Sequence, residues 1–283
     1  MTTRFRPTPY KDLHLGHAWV AWHCCRAARL HGGQFILIAD DIAAQLQNTF
    51  VQSWGPTKAV ARFREDLDWL GMAPDRVVYS SRNAEAHADA AQALGIRRPG
   101  QLAEGGIGAL QIAAPGAGPH DAVAMYHPWL VAVRVVDDYE CGINAFWRGA
   151  DLLSEAQLYD ATWRRLYGVN PPYQCYLPVV RREKEPEKES KSQLTGRVRD
   201  LRAAGYTPSE VIETLQECAR RATVKGLRDV VIPSGVLDCD GERRTLRYKD
   251  DFGARLRRGV KEQAGKDWQS DVRQAAASWS REA

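Results

Sequence analysis

Within the first 41 residues the pattern of apolar and turn-forming residues changes twice, and that order limits the fold more than any other feature. Arg4-Phe5-Arg6-Pro7-Thr8-Pro9 is a proline-broken extended run leading into Leu13-His14-Leu15-Gly16-His17. Ala18-Trp19-Val20-Ala21-Trp22, with Ala27 and Ala28, looks helical, and His31-Gly32-Gly33 closes it with glycine in the C-terminal position. Gln34 to Ala39 is an apolar run of strand length ending at Asp40-Asp41. Strand, helix, strand is a βαβ unit, which predicts a parallel sheet with ligands at the strands' C-terminal ends. The expected connection from first strand to helix is a tight turn at Gly16.

A helix N-terminus placed there suits an anion, because its first N–H groups lack partners and its dipole end is positive. Glycine at position 16 lets a phosphate approach the backbone, and the imidazoles of His14 and His17 can donate to its oxygens. By themselves two histidines beside a turn are equally a plain surface feature. Asp40 and Asp41, at a strand end, are candidate ligands for an ammonium group and also candidate helix caps.

Further along, Gly55-Pro56-Thr57 starts a helix in which Val60, Phe63, Leu67 and Leu70 recur at spacings of three and four, ended by Gly71. Val77-Val78-Tyr79 reads as a strand and Ala84 to Leu94 as a helix, which completes a first half of a nucleotide-binding fold over 1–94. Residues 95–127 are rich in Gly, Ala and Pro and read as a connective insertion, with Gln111-Ile112-Ala113 as a short strand inside it. Residues 128–193 read as the second half. They hold an apolar helix or strand, Trp129 to Val136, ending in Asp137-Asp138, and a β-rich run that ends at Arg148-Gly149. A helix from Ala156 to Leu166 and a strand-like Leu177-Pro178-Val179-Val180 follow. The charged run Arg181 to Ser192 ends in Lys188-Glu189-Ser190-Lys191-Ser192. Such a run is usually a solvated loop; two lysines three apart around a serine can also fold over a triphosphate and neutralise charge during transfer.

Residues 194–283 read as a largely helical, basic region, with a helix start at Tyr206-Thr207-Pro208-Ser209. Arg243, Arg244, Arg247, Lys249, Arg255, Arg257, Arg258 and Lys261, interleaved with Tyr248 and Phe252, suit a phosphate backbone. A salt-bridged surface with Asp250, Asp251 and Glu262 would have the same composition. The 44% hydrophobic and 26% charged fractions of the 283 residues are those of an ordinary globular protein, and no apolar run is long enough for a membrane span. The expectation is a cytoplasmic protein without membrane contact. The six cysteines have no framework or C-x-x-C spacing, so reduced thiols and no metal site are expected. Tryptophans in the helical segments are expected in the core.

Taken together, the motifs resemble class I aminoacyl-tRNA synthetases. His-x-Gly-His and Lys-x-Ser-Lys-Ser are similar to that class's paired signatures. The sequence between them resembles the glutamyl branch, including the short glutamyl-queuosine tRNA(Asp) synthetases. Arg4-Phe5-Arg6-Pro7-Thr8-Pro9 resembles the branch's R-F-A-P-S-P, and Gly32-Gly33-Gln34-Phe35-Ile36-Leu37 with Asp40-Asp41 its G-G-x-F-x-L-R-I-E-D. Asp66-Leu67-Asp68-Trp69-Leu70-Gly71 resembles D-L-x-W-L-G, and Val135-Val136-Asp137-Asp138 through Arg148-Gly149-Ala150-Asp151-Leu152-Leu153 resembles V-V-D-D-x-x-x-G-V-T-x-x-x-R-G-x-D-L-L. The resemblance runs over roughly residues 4–215.

It implies an α/β, Rossmann-like parallel sheet of the HUP type, a short connective insertion, a helical C-terminal region and no anticodon-binding domain. It implies ATP and Mg²⁺, attack of an amino-acid carboxylate on ATP, and transfer to tRNA or a modified tRNA base. The alternatives are a non-tRNA acceptor such as a small amine, peptide or nucleobase, and a catalytically silent nucleotide- or RNA-binding relative. His14, Gly16 and His17 would hold ATP and stabilise the reacting phosphate, Lys188, Ser190 and Lys191 would clamp the leaving pyrophosphate, and Thr8 would line the site. Arg4, Asp40 and Arg148 would contact the amino acid, with Asp40 on its ammonium group. The departures are Arg6 for a small residue, Asp40 for a glutamate, Ile38 for an arginine, Leu130 for a pocket tyrosine, and Arg134 for valine or asparagine. Arg6, Leu130 and Arg134 therefore join the expected amino-acid pocket and predict an altered preference, for glutamate in another pose or for another amino acid, an acidic one included. The metal-binding cysteines of the queuosine-type relatives have no counterparts here.

Overall fold

The structure is a computed structural model that describes residues 1–9, 12–42, 55–96, 110–112, 123–125, 128–182, 196–224 and 229–232. All of these fall within the unit Met1–Asp240. Five parallel strands form the central sheet in the order β3-β2-β1-β6-β7: β1 (Thr3–Phe5), β2 (Phe35–Ala39), β3 (Arg76–Tyr79), β6 (Ala145–Gly149) and β7 (Tyr173–Leu177). β1 lies between β2, where Arg4 faces Ile36, and β6, where Thr3 faces Ala145. The order runs outward one way from β1 and resumes the other way at β6, so the topological switch point lies between β1 and β6. Open α/β sheets bind ligands at that crevice.

All five side chains of β2 are buried, as expected for a parallel strand covered on both faces. The pleat divides them. Phe35, Leu37 and Ala39 enter one core with α1 (Leu15–Leu30), α2 (Pro56–Trp69), α6 (Val198–Ala203) and α7 (Pro208–Val224). Ile36 and Ile38 enter the other, with Val131 and Val135 of α4 (Pro128–Glu140) and Tyr159 and Trp163 of α5 (Ala156–Tyr167). Phe35, Ile36, Leu37 and Ile38 are fully buried, each worth about 1.5–3 kcal/mol of transfer free energy. Trp19, Trp129 and Trp163 are at most 5% exposed, as the core reading of the tryptophans expects. α3 (Ala84–Leu94) coincides with the helix expected there.

Several local expectations are corrected. Gly16 is not a turn but the second residue of α1, and the chain bends at His14, which is extended at φ −116° and caps the helix. Of the two readings left open for Trp129–Val136, helix or strand, the helix holds. The strand expected over Leu177–Val180 is two strands split at Pro178. β7 begins back at Tyr173, and β8 (Val179–Arg182) leaves the main sheet to pair in parallel with β9 (Asp229–Ile232). β9 is thus a strand inside the region expected to be helical. Within the expected insertion, β4 (Leu110–Ile112) and β5 (Val123–Met125) form an antiparallel pair. No described helix is long and apolar enough to cross a membrane.

Candidate functional site

The strand-end crevice is bordered by two assemblies, one at the start of α1 and one below the ends of β1, β2 and β6. In the first, the Nδ1 of His14 accepts from the Gly16 N–H at 3.1 Å, and the Nδ1 of His17 accepts from the His14 N–H at 3.4 Å, a reciprocal capping box. The two rings stack with centroids 3.8 Å apart, and Phe5 meets His17 edge-on. Because each Nδ1 accepts, each neutral ring carries its proton on Nε2 and is a donor there. A Cβ on residue 16 would lie 3.0 Å from His14 Cε1 and 3.1 Å from Nδ1, so glycine is what lets the capping ring lie over the helix start.

This start is tied down from the far side of the chain. His14 bridges to Arg197, the Leu15 N–H donates to Gly196 O, and the Val198 N–H donates to Leu13 O. Asp12, 5% exposed, takes two hydrogen bonds from Arg62 and ion-pairs with Arg199 at 2.9 Å. Asp66 also meets Arg199, at 3.2 Å, yet burial pushes its carboxyl up to about 6, above what Arg199 pulls back. Lys188, Ser190 and Lys191 lie outside the described residues, as does the basic concentration from Arg243 to Lys261. The chain that carries the three re-enters description at Gly196, against the α1 start. Thr8, half-buried, follows β1.

The second assembly brings together five of the six residues expected to contact the amino acid. Arg4 holds Asp138 with two hydrogen bonds of 2.9 and 3.0 Å and stacks 3.9 Å from the Phe146 ring centre. Arg6 reaches Asp40 at 3.3 Å and Ser80 at 3.0 Å, and its Nη1 lies 2.8 Å from Asp137, an ion-pair contact not aligned as a hydrogen bond. Arg134 lies 3.7 Å from Asp40 and donates to Glu155 at 2.5 Å. Arg148 donates to the other Glu155 oxygen at 3.0 Å, and to Gln174 and the Tyr176 hydroxyl. Leu130 is apart from these, buried with Ile42, Ala91, Trp129 and Val133.

Carboxylates and guanidiniums therefore alternate along one path: Asp137, Arg6, Asp40, Arg134, Glu155, Arg148. Burial opposes charge on Asp137, but Arg6 and hydrogen bonds from His87 and Asn83 outweigh it and hold the carboxyl at about 2. Burial opposes charge on Glu155 too, and Arg134 and Arg148 bring it below the usual range. Burial likewise opposes charge on Arg4 and Arg6, and Asp138 and Asp40 respectively more than restore it. His87, 3% exposed, meets Asp137 through Nε2 at 2.9 Å, while its buried Nδ1 has no hydrogen-bond partner. It lines a cavity of about 460 Å³ with Ile42, Ser81, Ala91, Gln92 and Trp129. Asp41 is committed to Ser81, accepting from its N–H and hydroxyl at 3.0 and 2.6 Å.

Sequence reading did not single out Glu155, His87, Ser80 or Tyr159, whose hydroxyl donates to Asp138 at 2.8 Å, for this site. For Asp137 and Asp138 a signal existed, two acids ending an apolar helix. Glu155 lay just past the Arg148–Leu153 motif, in a 3₁₀ turn with no periodicity to mark it. The five described cysteines are free thiols, and burial pushes the Cys24 thiol up to about 12, so it is inert as a nucleophile.

Residues 1–96 match the family model for the catalytic domain of class I tRNA synthetases (E and Q). A glutamate–tRNA ligase 2 from Neorickettsia sennetsu is 26% identical over 235 residues, covering 76% of this chain and 54% of that protein. The glutamate–tRNA ligase 2 of Dinoroseobacter shibae is 39% identical over 93 residues, 33% of this chain and 19% of that one. A crystal structure of a glutamate tRNA ligase from Elizabethkingia meningosepticum, in complex with its amino acid, superposes with a TM-score of 0.55 at 18% identity, over 76% of this chain and 60% of that chain. Even the longer of the two curated alignments leaves this chain spanning about half of its relative. The first 96 residues thus carry the catalytic-domain pattern of the class I tRNA synthetases for glutamate and glutamine.

Proposed function

We propose that this chain activates an amino acid with ATP and transfers the aminoacyl group to tRNA or a modified tRNA base, using an amino-acid pocket altered from that of the glutamate ligases it resembles. The observation that carries the reading is the α1 start: a capped helix N-terminus with two stacked imidazoles whose Nδ1 atoms accept backbone N–H groups, beside the switch point of a parallel sheet. In the first step an amino-acid carboxylate oxygen attacks the α-phosphorus, the bond to the β-phosphate oxygen breaks, and pyrophosphate leaves. In the second an acceptor nucleophile attacks the carbonyl carbon and AMP leaves.

Negative charge grows on the α-phosphate oxygens as the phosphorus gains a fifth ligand. His14, His17 and the helix dipole meet that charge without reorganising, since the cap already fixes both rings. Gly16 keeps side-chain bulk away from the phosphate, and Thr8 lines the same crevice. Lys188, Ser190 and Lys191 neutralise the departing pyrophosphate, on a run that rejoins the α1 start at Gly196. Mg²⁺ fits as a companion of the phosphates, since it keeps its waters and prefers phosphate oxygens to an all-protein cage. Arg4, Arg6, Asp40, Arg134 and Arg148 form the amino-acid side.

The test is amino-acid-dependent exchange of pyrophosphate into ATP, screened with and without bulk tRNA. The expected result is exchange with at least one amino acid, reduced about 100-fold or more in His17→Ala and Lys191→Ala, the scale of losing one charge-stabilising group. Labelled amino acid recovered on tRNA would identify the acceptor. Absence of exchange with every amino acid would refute the reading.

A further inference from the structure

An acidic amino acid needs a cation for its side-chain carboxylate, and the four buried guanidiniums of this site already have carboxylates of their own. Arg4 is matched by Asp138, Arg6 by Asp40 and Asp137, Arg134 by Asp40 and Glu155, and Arg148 by Glu155. The four arginine side chains are 3–13% exposed and the four carboxylates at most 4%. Among the described residues, four positive groups thus face four negative ones in a space that water hardly enters. Glu155 is the central piece, with one oxygen on Arg134 at 2.5 Å and the other on Arg148 at 3.0 Å. It stands as a built-in carboxylate shared by two arginines of the expected amino-acid pocket.

The adjoining cavity offers no replacement among the described residues: none that lines it is a lysine or arginine, and its histidine, His87, is held by Asp137. A side-chain carboxylate reaching Arg134 and Arg148 would have to displace Glu155, which would leave a buried charge unpaired. An amino acid with an uncharged side chain brings no net charge and leaves the network intact. We infer that Glu155 makes this a site for an amino acid with an uncharged side chain and excludes glutamate and aspartate. The inference rests on the amino-acid-activation reading above. Glu155 acts here as a specificity residue and takes no part in the bond-making steps.

The experiment compares full-length protein with Glu155→Gln, a variant that keeps shape and removes the charge. Calorimetric binding of each amino acid is measured in the presence of a non-hydrolysable ATP analogue, and pyrophosphate exchange is measured in parallel with bulk tRNA. In the native chain at least one uncharged amino acid is expected to bind tenfold or more tighter than glutamate or aspartate, about the factor one unfavourable charge contact supplies. In Glu155→Gln the ratio is expected to move tenfold or more toward glutamate, with exchange following binding. Glutamate or aspartate binding tightest to the native chain would overturn the inference while leaving amino-acid activation standing, and this ranking decides the matter even if the variant does not fold. A folded variant with an unchanged ratio would also overturn it. No binding and no exchange with any amino acid would defeat the activation reading itself, and the inference with it.

Discussion

Replacing Arg6 by alanine restores the small residue that glutamyl-type sequences carry and tests whether the network carries stability as well as specificity. The guanidinium lies between Asp40 and Asp137, and all three side chains are at most 4% exposed. Its loss leaves two buried carboxylates short of a partner, and breaking a buried pair costs about 3–5 kcal/mol. For a domain of this size each kcal/mol moves the melting temperature by about 2–4 °C, so a fall of roughly 10 °C is expected. The pH dependence sharpens the test. Asp137 sits at about 2 when folded against 3.8 for its unperturbed carboxyl. A carboxyl lowered in this way adds stability above its unfolded pKa and loses it as pH falls through the folded value, a term of about 2 kcal/mol. Without Arg6, burial dominates Asp137 and its pKa rises, so the variant regains stability by taking up a proton as pH falls. The stability gap between the two proteins should therefore narrow from pH 7 to pH 4.5 in urea titrations followed by tryptophan fluorescence. A gap under 1 kcal/mol at pH 7, or one that does not change with pH, would refute the reasoning.

Three further outcomes follow from other positions. Asp66, raised to about 6 by burial despite Arg199, binds its proton more tightly folded than unfolded. The cost of its charged form sets in above pH 3.8 and is complete above pH 6, so Asp66→Asn should be more stable than the native chain by about 1–3 kcal/mol at pH 8, with the difference fading as pH falls from 6 to 3.8; a less stable variant at pH 8 would mean the Arg199 pair outweighs burial. His23, packed edge-on against Trp19 and Trp22, is lowered to about 4 by burial and Arg26. Stability tied to its neutral form holds above pH 6.5 and is lost as pH falls through 4, so His23→Phe should flatten the acid limb of the stability profile by about 2 kcal/mol, measured against the native chain. Gly16→Ala gains about 1 kcal/mol of helix propensity and loses about as much by displacing the His14 cap. Its melting temperature should stay within a few degrees while pyrophosphate exchange drops at least tenfold, and equal losses in both would assign Gly16 to folding alone.

What could be read from the sequence was local or periodic. The βαβ opening, the helix over Ala84–Leu94 and the ends of α1 and α2 each follow from a few adjacent residues that cap, turn or repeat. Errors arose where a distant partner decides. Tyr173-Gln174-Cys175-Tyr176 carries no alternation, and it is a strand because Phe146, Trp147 and Arg148 supply a ladder for it. Asp229–Ile232 is a strand because Val179–Arg182 pairs with it. Gly16 resembled a turn because glycine usually is one. Here it is helical, and its missing side chain serves the ring two residues earlier.

The two halves of the site differ in the same way. The α1 start lies within four consecutive residues, and its cap geometry is a local consequence of their spacing. The arginine–carboxylate assembly is made of pairs 134 residues apart, Arg4 with Asp138, and 34 apart, Arg6 with Asp40, so neither charge marks its partner in the sequence. Taken singly, Arg6 and Arg134 read as added positive charge and suggest a site more hospitable to acids. In the fold they alternate with Asp137, Asp40 and Glu155, and the added charge is spent inside the protein. An arginine at position 6 without a carboxylate at 137, or one at 134 without Glu155, would leave a buried cation unpaired at a cost of several kcal/mol. The departures at 6, 40 and 134 are therefore one physical change rather than three. Its sense is opposite to what counting guanidiniums implies: a site that has satisfied its own charges, and so favours a substrate that adds none.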